Sequence, residues 1–192
     1  MKISNVLLLV ERTLGSLKSV TSANFGAGRE QRSNKVQLSN IKYIPAAQQG
    51  ILRITCETSS DISANKYNTV IELHDVEFID DSRYNFLKKA ETRDSQKYNA
   101  FEFNSGGTQF FASYDRVKGV DVKVSCTCED FRWRFANYNF KDNSLFGDAP
   151  QAYVKKTNRP PVNPNKTPGV CKHLLRLKKE LESEEFFREL LN

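Results

Sequence analysis

The chain has 192 residues, 39% of them apolar and Phe the commonest aromatic. That length and composition suit a globular core and exclude a wholly disordered chain, and no apolar run is long enough for a transmembrane helix. The net charge of +6 is uneven: residues 116–179 hold 14 basic and 5 acidic side chains, the remainder 15 and 18, so the basic excess belongs to the last third, which either faces nucleic acid or an acidic partner, or wears lysine on a solvated surface.

The opening residues 1–11 have a short apolar core, a charge at Glu11 and no small-x-small site close behind. They fit an amphipathic helix better than a secretory leader. Val6, Leu7, Val10, Leu14 and Leu17 follow a helical face over residues 4–20, with Ser4 or Asn5 as cap and Gly15 weakening the end. Residues 22–34 are polar and glycine-bearing and read as a mobile loop. Gly26 and Gly28 make no phosphate loop, because no strand precedes them and no Gly-Lys-Ser/Thr follows.

From Val36 the period becomes two. One strand runs to Pro45, a second covers Ile51–Cys56, and a third covers Tyr67–Phe78. The turn-rich stretch 59–65 predicts a hairpin between the second and third, which is the pattern of an antiparallel sheet with one wet face. Residues 81–98 carry a weak helical pattern through Tyr84 and Leu87. Phe101 and Phe103, then Gly106-Gly107, then residues 109–114 predict another hairpin. Val120, Val122 and Val124 lead a last strand into Cys126. His74 beside Asp75 reads as a surface histidine, since no nucleophile and orienting partner accompany it.

Cys56 alternates with charged neighbours on an apolar strand face and reads as a free buried thiol. The other three cysteines cluster with a histidine, which indicates a metal site in a reducing compartment rather than a disulfide framework. Cys126 and Cys128, two apart, share a face as a strand ends. Cys171 and His173 cannot share a face in mid-helix, where i and i+2 lie about 200° apart. At a helix start they can, and Pro168-Gly169 before them and Leu174, Leu175, Leu177 and Leu181 after them predict such a start. Three thiolates and an imidazole close a structural zinc site, leaving no open position for water.

This Cys-x-Cys…Cys-x-His pattern, followed by leucines at a helix start, resembles the SWIM zinc finger. The resemblance covers the last third of the chain and implies zinc at Cys126, Cys128, Cys171 and His173, with DNA or protein binding as the module's role. The 42-residue insert between the ligand pairs (129–170) is long for that family.

Within the insert, Asp130 can cap a short helix with Phe131, Phe135 and Tyr138 on one face, while the alternation of aromatic and Arg over the same residues also fits a strand. Either Trp133 stacks on bases while Arg132 and Arg134 grip phosphate, or Phe131 and Phe135 cover the metal and Trp133 fills a gap. The run 157–169, with its prolines and asparagines, reads as an ordered loop or a partner-binding arm. Together with residues 130–138 it is similar to small zinc-bearing virion proteins of tailed bacteriophages. Phe186, Phe187, Leu190 and Leu191 form a second apolar group that needs a covering surface.

The expected class is therefore α+β: a helix and antiparallel sheet over residues 1–115, then a zinc-stapled module over 116–192 ending in a helix. The expected function is a non-enzymatic structural or assembly protein of a phage particle (tail, neck or baseplate). It would be located in the virion, meet other virion proteins through the 129–170 loop and the C-terminal helix, and take no membrane or small-molecule substrate. The alternative is a nucleic-acid-binding module. Arg132, Trp133, Arg134, Lys155, Lys156, Arg159 and Lys172 are the candidate contacts for either partner.

Overall fold

The structure, a computed structural model, describes residues 13–60, 63–89, 97–115, 120–151 and 158–183. It is α+β, with an N-terminal helix, two antiparallel sheets and a C-terminal helix. The first sheet has the order β1-β2-β3-β7, formed by β1 (Val36–Ala46), β2 (Ile51–Ser60), β3 (Ser63–Leu73) and β7 (Val122–Cys126). The second has the order β4-β6-β5, formed by β4 (Glu77–Ile79), β5 (Tyr98–Ser105) and β6 (Thr108–Asp115).

Alternation along β2 puts Leu52, Ile54, Cys56 and Thr58 inside. The register carries that inner face across the sheet: Ile54 pairs with Ile71 and Ile71 with Val124, while Cys56 pairs with Thr69 and Thr69 with Cys126. The first cysteine ligand is thus the last inward residue of an apolar sheet face. Although β7 lies beyond the expected boundary at 115/116, it is a strand of the same sheet as β1–β3.

The predicted β2–β3 and β5–β6 hairpins are both present. Gly106 and Gly107, at φ 56° and 83°, make the second turn, a two-residue form that needs positive φ at both positions. Several strand boundaries differ from expectation: β2 runs on to Ser60 and β3 starts at Ser63, so most of the turn-rich stretch 59–65 is strand. Pro45 does not end β1 but lies inside it, opposite Leu52, because β1 is an edge strand and a missing N–H costs nothing on its open side. The third strand stops at Leu73 rather than Phe78: Asp75 takes φ 60°, and the chain crosses into the second sheet as β4.

The N-terminal helix α1 runs Leu14–Phe25 and buries Leu14, Leu17 and Thr21. Thr13 caps it, its hydroxyl accepting from the Ser16 N–H at 3.0 Å. The expected caps Ser4 and Asn5, with Val6, Leu7 and Val10, lie outside the described residues, as do Phe186, Phe187, Leu190 and Leu191. The stretch 22–34 is not a loop throughout; it holds the last turn of α1 and a short helix, α2 (Gly28–Ser33). Helix α3 (Asp81–Lys88) is capped by Asp80 and packs on the second sheet.

After β7 come α4 (Glu129–Arg134) and α5 (Ala136–Lys141), and after the insert α6 (Lys172–Ser183). Helix α6 lies on β1, β3 and β7. Its Leu174, Leu177 and Leu181 are fully buried, each contributing about 1.5–3 kcal/mol by leaving water. One apolar cluster joins both sheets, α1, α4 and α6 and includes Cys126, Cys128 and Cys171.

Candidate metal centre

Four donors arrive from three places. Cys126 ends β7, Cys128 stands at the N-terminus of α4, and Cys171 and His173 flank the first residue of α6. The turn between the first two is fixed by a pair of hydrogen bonds. The Thr127 N–H donates to the Asn68 carbonyl, and the Asn68 N–H donates to the Thr127 hydroxyl, each at 3.0 Å. Thr127 itself is exposed, so the two flanking cysteines are the residues turned inward. The expected cap of α4 was Asp130, but Cys128 takes that position: its Sγ accepts from the Phe131 N–H at 3.4 Å. A sulfur poised to be a thiolate gains from a helix N-terminal N–H as a carboxylate would. Asp130 sits in the first turn and is used elsewhere.

At the other end, the Leu175 N–H donates to the Cys171 carbonyl at 3.0 Å, so the first turn of α6 closes on the ligand residue. His173 lies one step inside that turn. Its Nδ1 stands 3.7 Å from the Cys126 sulfur and 3.9 Å from the Cys171 sulfur. All four donor atoms lie within 4.8 Å of one another, and all four residues are buried. The donor–donor edges of a zinc tetrahedron with sulfur and imidazole ligands are about 3.5–3.8 Å, so the set needs little adjustment to close on one ion. The Tyr67 ring covers the imidazole, with centroids 4.7 Å apart. The residues present fit a structural metal ion: soft donors, closed count, no solvent-facing gap.

The thiols also polarise one another. Cys128 is held well below the ordinary thiol range, chiefly because the Cys126 and Cys171 thiols donate to its sulfur. Burial pushes Cys171 up, and the hydrogen bond between Cys126 and Cys128 does the same to Cys126. One thiolate stabilised by two thiols is what such a cluster can support alone; a bound dication holds all three as thiolates.

Two buried carboxamides fold the insert on itself, and Thr21 of α1 ties it to the body. Asn139 on α5 donates from Nδ2 to the Gly169 carbonyl at 3.1 Å and accepts at Oδ1 from the Gly169 N–H at 2.8 Å. Asn163 donates to the carbonyls of Arg134 (2.9 Å) and Thr167 (2.8 Å) and accepts from the Thr167 N–H. The Thr21 hydroxyl then accepts from the Val170 N–H at 2.9 Å, one residue before Cys171. Loop 158–171 is ordered by these contacts. Nothing in the sequence sets Asn139 and Asn163 apart from the chain's other asparagines, nor Thr21 from any helical threonine.

The candidate contact residues divide. Arg132 is exposed, its guanidinium over the half-buried Trp133 ring at 4.6 Å. Arg134 is half-buried and ion-paired with Asp130, and Arg159 is exposed while Lys172 is half-buried. Lys155 and Lys156 lie outside the described residues. Phe131 and Phe135 are buried and join the apolar cluster around the cysteines.

Compared with protein-family models, curated proteins and solved structures, the chain matches none of them.

Proposed function

We propose that the chain is a non-catalytic assembly protein fastened by a structural zinc ion held in the SWIM manner by Cys126, Cys128, Cys171 and His173. The observation that carries this reading is the closed, buried Cys3His set, which leaves no ligand position for water or substrate. Its donors come from one strand end and two helix starts, so metal would bind the sheet, α4 and α6 together. The setting we propose is the particle of a tailed bacteriophage, as a tail, neck or baseplate component. The aromatic and proline–asparagine character of residues 129–170 supports that setting. The protein's surfaces would meet other virion proteins through that insert and the C-terminal helix.

The test is metal analysis of the purified protein together with Cys128→Ser in particles. Stoichiometric zinc is expected, and the variant should lose zinc, fold and incorporation into particles together. Zinc-free protein that assembles normally would refute this reading.

A second reading, nucleic-acid binding, is favoured by the exposed Arg132 seated over Trp133 in a strongly basic region. Binding that weakens steeply with salt supports it, and no binding by metal-loaded protein rules it out.

A further inference from the structure

Outside the metal centre, cationic side chains concentrate where α2 meets α4. Arg29 and Arg32, three apart on α2, share a face. Arg29 is only 6% exposed, and both its terminal nitrogens hold the Asp130 carboxylate. Its guanidinium lies 5.3 Å from the ring centroids of both Phe25 and Phe135. Arg134 approaches the same carboxylate, Nε to Oδ1 at 3.1 Å, and lies over Phe25 at 5.2 Å.

Burial, followed by the charges of Arg29 and Arg32, makes the Arg134 guanidinium less basic than usual, against the opposing pull of Asp130. Two guanidiniums thus hold one carboxylate, and Arg32 follows Arg29 by three residues on α2. Glu30, the nearby acid of α2, is turned to Lys18 at 3.0 Å, and among the described residues no carboxylate is ion-paired with Arg32. Asp130 is committed to the two inner arginines, so Arg32, exposed at the rim, carries the cluster's excess charge outward. Trp133, three residues along α4 from Asp130, continues this surface with Arg132 over its ring.

We propose that the α2–α4 surface binds single-stranded nucleic acid, with Arg32 and Arg134 taking a backbone phosphate and a base stacking at Trp133. This inference rests on the nucleic-acid reading above and extends it to α2, outside the metal module. Arg29 and Asp130 act as positioning residues: the buried Arg29 holds the Asp130 carboxylate, which sets where Arg134 stands. The chemistry suits a phosphodiester because guanidiniums present planar donors to its oxygens, and an adjacent flat ring offers the sequence-tolerant stacking that unpaired bases need.

The experiment uses the full, metal-loaded chain with a labelled oligothymidylate, read by anisotropy across a salt series. The chain's single tryptophan makes its own fluorescence a report on stacking at position 133. Arg32→Glu is compared with Lys88→Glu, an exposed charge on α3, after both are shown to melt as the parent does. Binding with quenched tryptophan fluorescence is expected. Arg32→Glu should weaken it about tenfold and lower the salt slope by about 0.7, the value of one phosphate contact on a single strand. Lys88→Glu should change affinity less than about twofold, as a change of net charge alone.

Binding that Arg32→Glu leaves no weaker than Lys88→Glu overturns the α2 assignment while the nucleic-acid reading stands. No binding by the parent chain overturns both. Labelled polyglutamate that binds as tightly, with the same loss in Arg32→Glu, overturns the proposal in favour of an acidic protein partner.

Discussion

Asn139 and Gly169 form a closed ring of two hydrogen bonds: the carboxamide donates to the glycine carbonyl at 3.1 Å and accepts from its N–H at 2.8 Å. Both residues are buried, and two positions later the chain delivers Cys171. The position tolerates no side chain. A Cβ at residue 169 would stand 2.5 Å from the Thr21 hydroxyl and 2.7 Å from a Phe135 ring carbon. Gly169→Ala should therefore cost about 1–3 kcal/mol through overpacking. Asn139→Ala leaves a buried N–H and a buried carbonyl without partners, at about 1–3 kcal/mol for each unsatisfied group. Urea unfolding of both variants measures this, and a stability unchanged in either removes the clamp from the argument.

Metal removal should act on the same region. A strong chelator is expected to lower the melting midpoint and raise proteolysis near Cys126–Cys128 and loop 158–171, because ligation free energy is folding free energy. Cys128→Ser and His173→Ala should each reproduce the effect without chelator. Equal thermal stability with and without metal would show that the apolar packing of α6 is sufficient by itself.

The elements that carry the ligands were legible because each follows from local periodicity. Valines at 120, 122 and 124 forecast a strand into Cys126, and Pro168-Gly169 followed by leucines forecast a helix start at the second pair. The errors have local physical causes. Pro45 reads as a terminator unless the strand is known to lie at an edge, and an aspartate at positive φ ends β3 where the alternation continues. A thiol at an N-cap hides behind the better capping residue two places on. The larger omission is in tertiary polar contacts. Arg29 meets Asp130 across 101 positions, and Asn139 and Asn163 hold an insert that composition alone describes as an arm.

The Arg29–Asp130 pair makes a prediction of its own. Asp130→Asn leaves a guanidinium that is nearly fully buried facing a neutral amide, with Arg134 beside it. Removing one partner of a buried pair costs about 3–5 kcal/mol, and the partial exposure of Asp130 places this case toward the lower figure. Replacing both, as Arg29→Met with Asp130→Asn, should recover part of the loss, because the nearly fully buried guanidinium is then gone and only the half-buried Arg134 is left without its carboxylate. A double-mutant cycle measures the coupling. Additive losses would mean that the aromatic rings of Phe25 and Phe135, rather than the carboxylate, hold Arg29.

Cys56 supplies a pH dependence separate from the metal ligands. Its sulfur is buried and lies 3.4 Å from the Ser39 carbonyl and 3.2 Å from the Glu57 carbonyl. Burial pushes the thiol above its ordinary value of 9.0. In alkali the unfolded chain ionises at this position while the folded chain keeps its proton, so unfolding releases a proton and rising pH draws the chain toward the unfolded state. The contribution is fully present below pH 9.0, the unfolded value, and is lost as pH climbs through the higher folded value. Cys56→Ala removes the titrating group and should cost about 1 kcal/mol at neutral pH through lost packing. Above pH 9 the gap between parent and variant should close. Urea titrations at neutral pH and in alkali decide the matter, and a gap of constant size would mean that the thiol ionises as readily folded as unfolded.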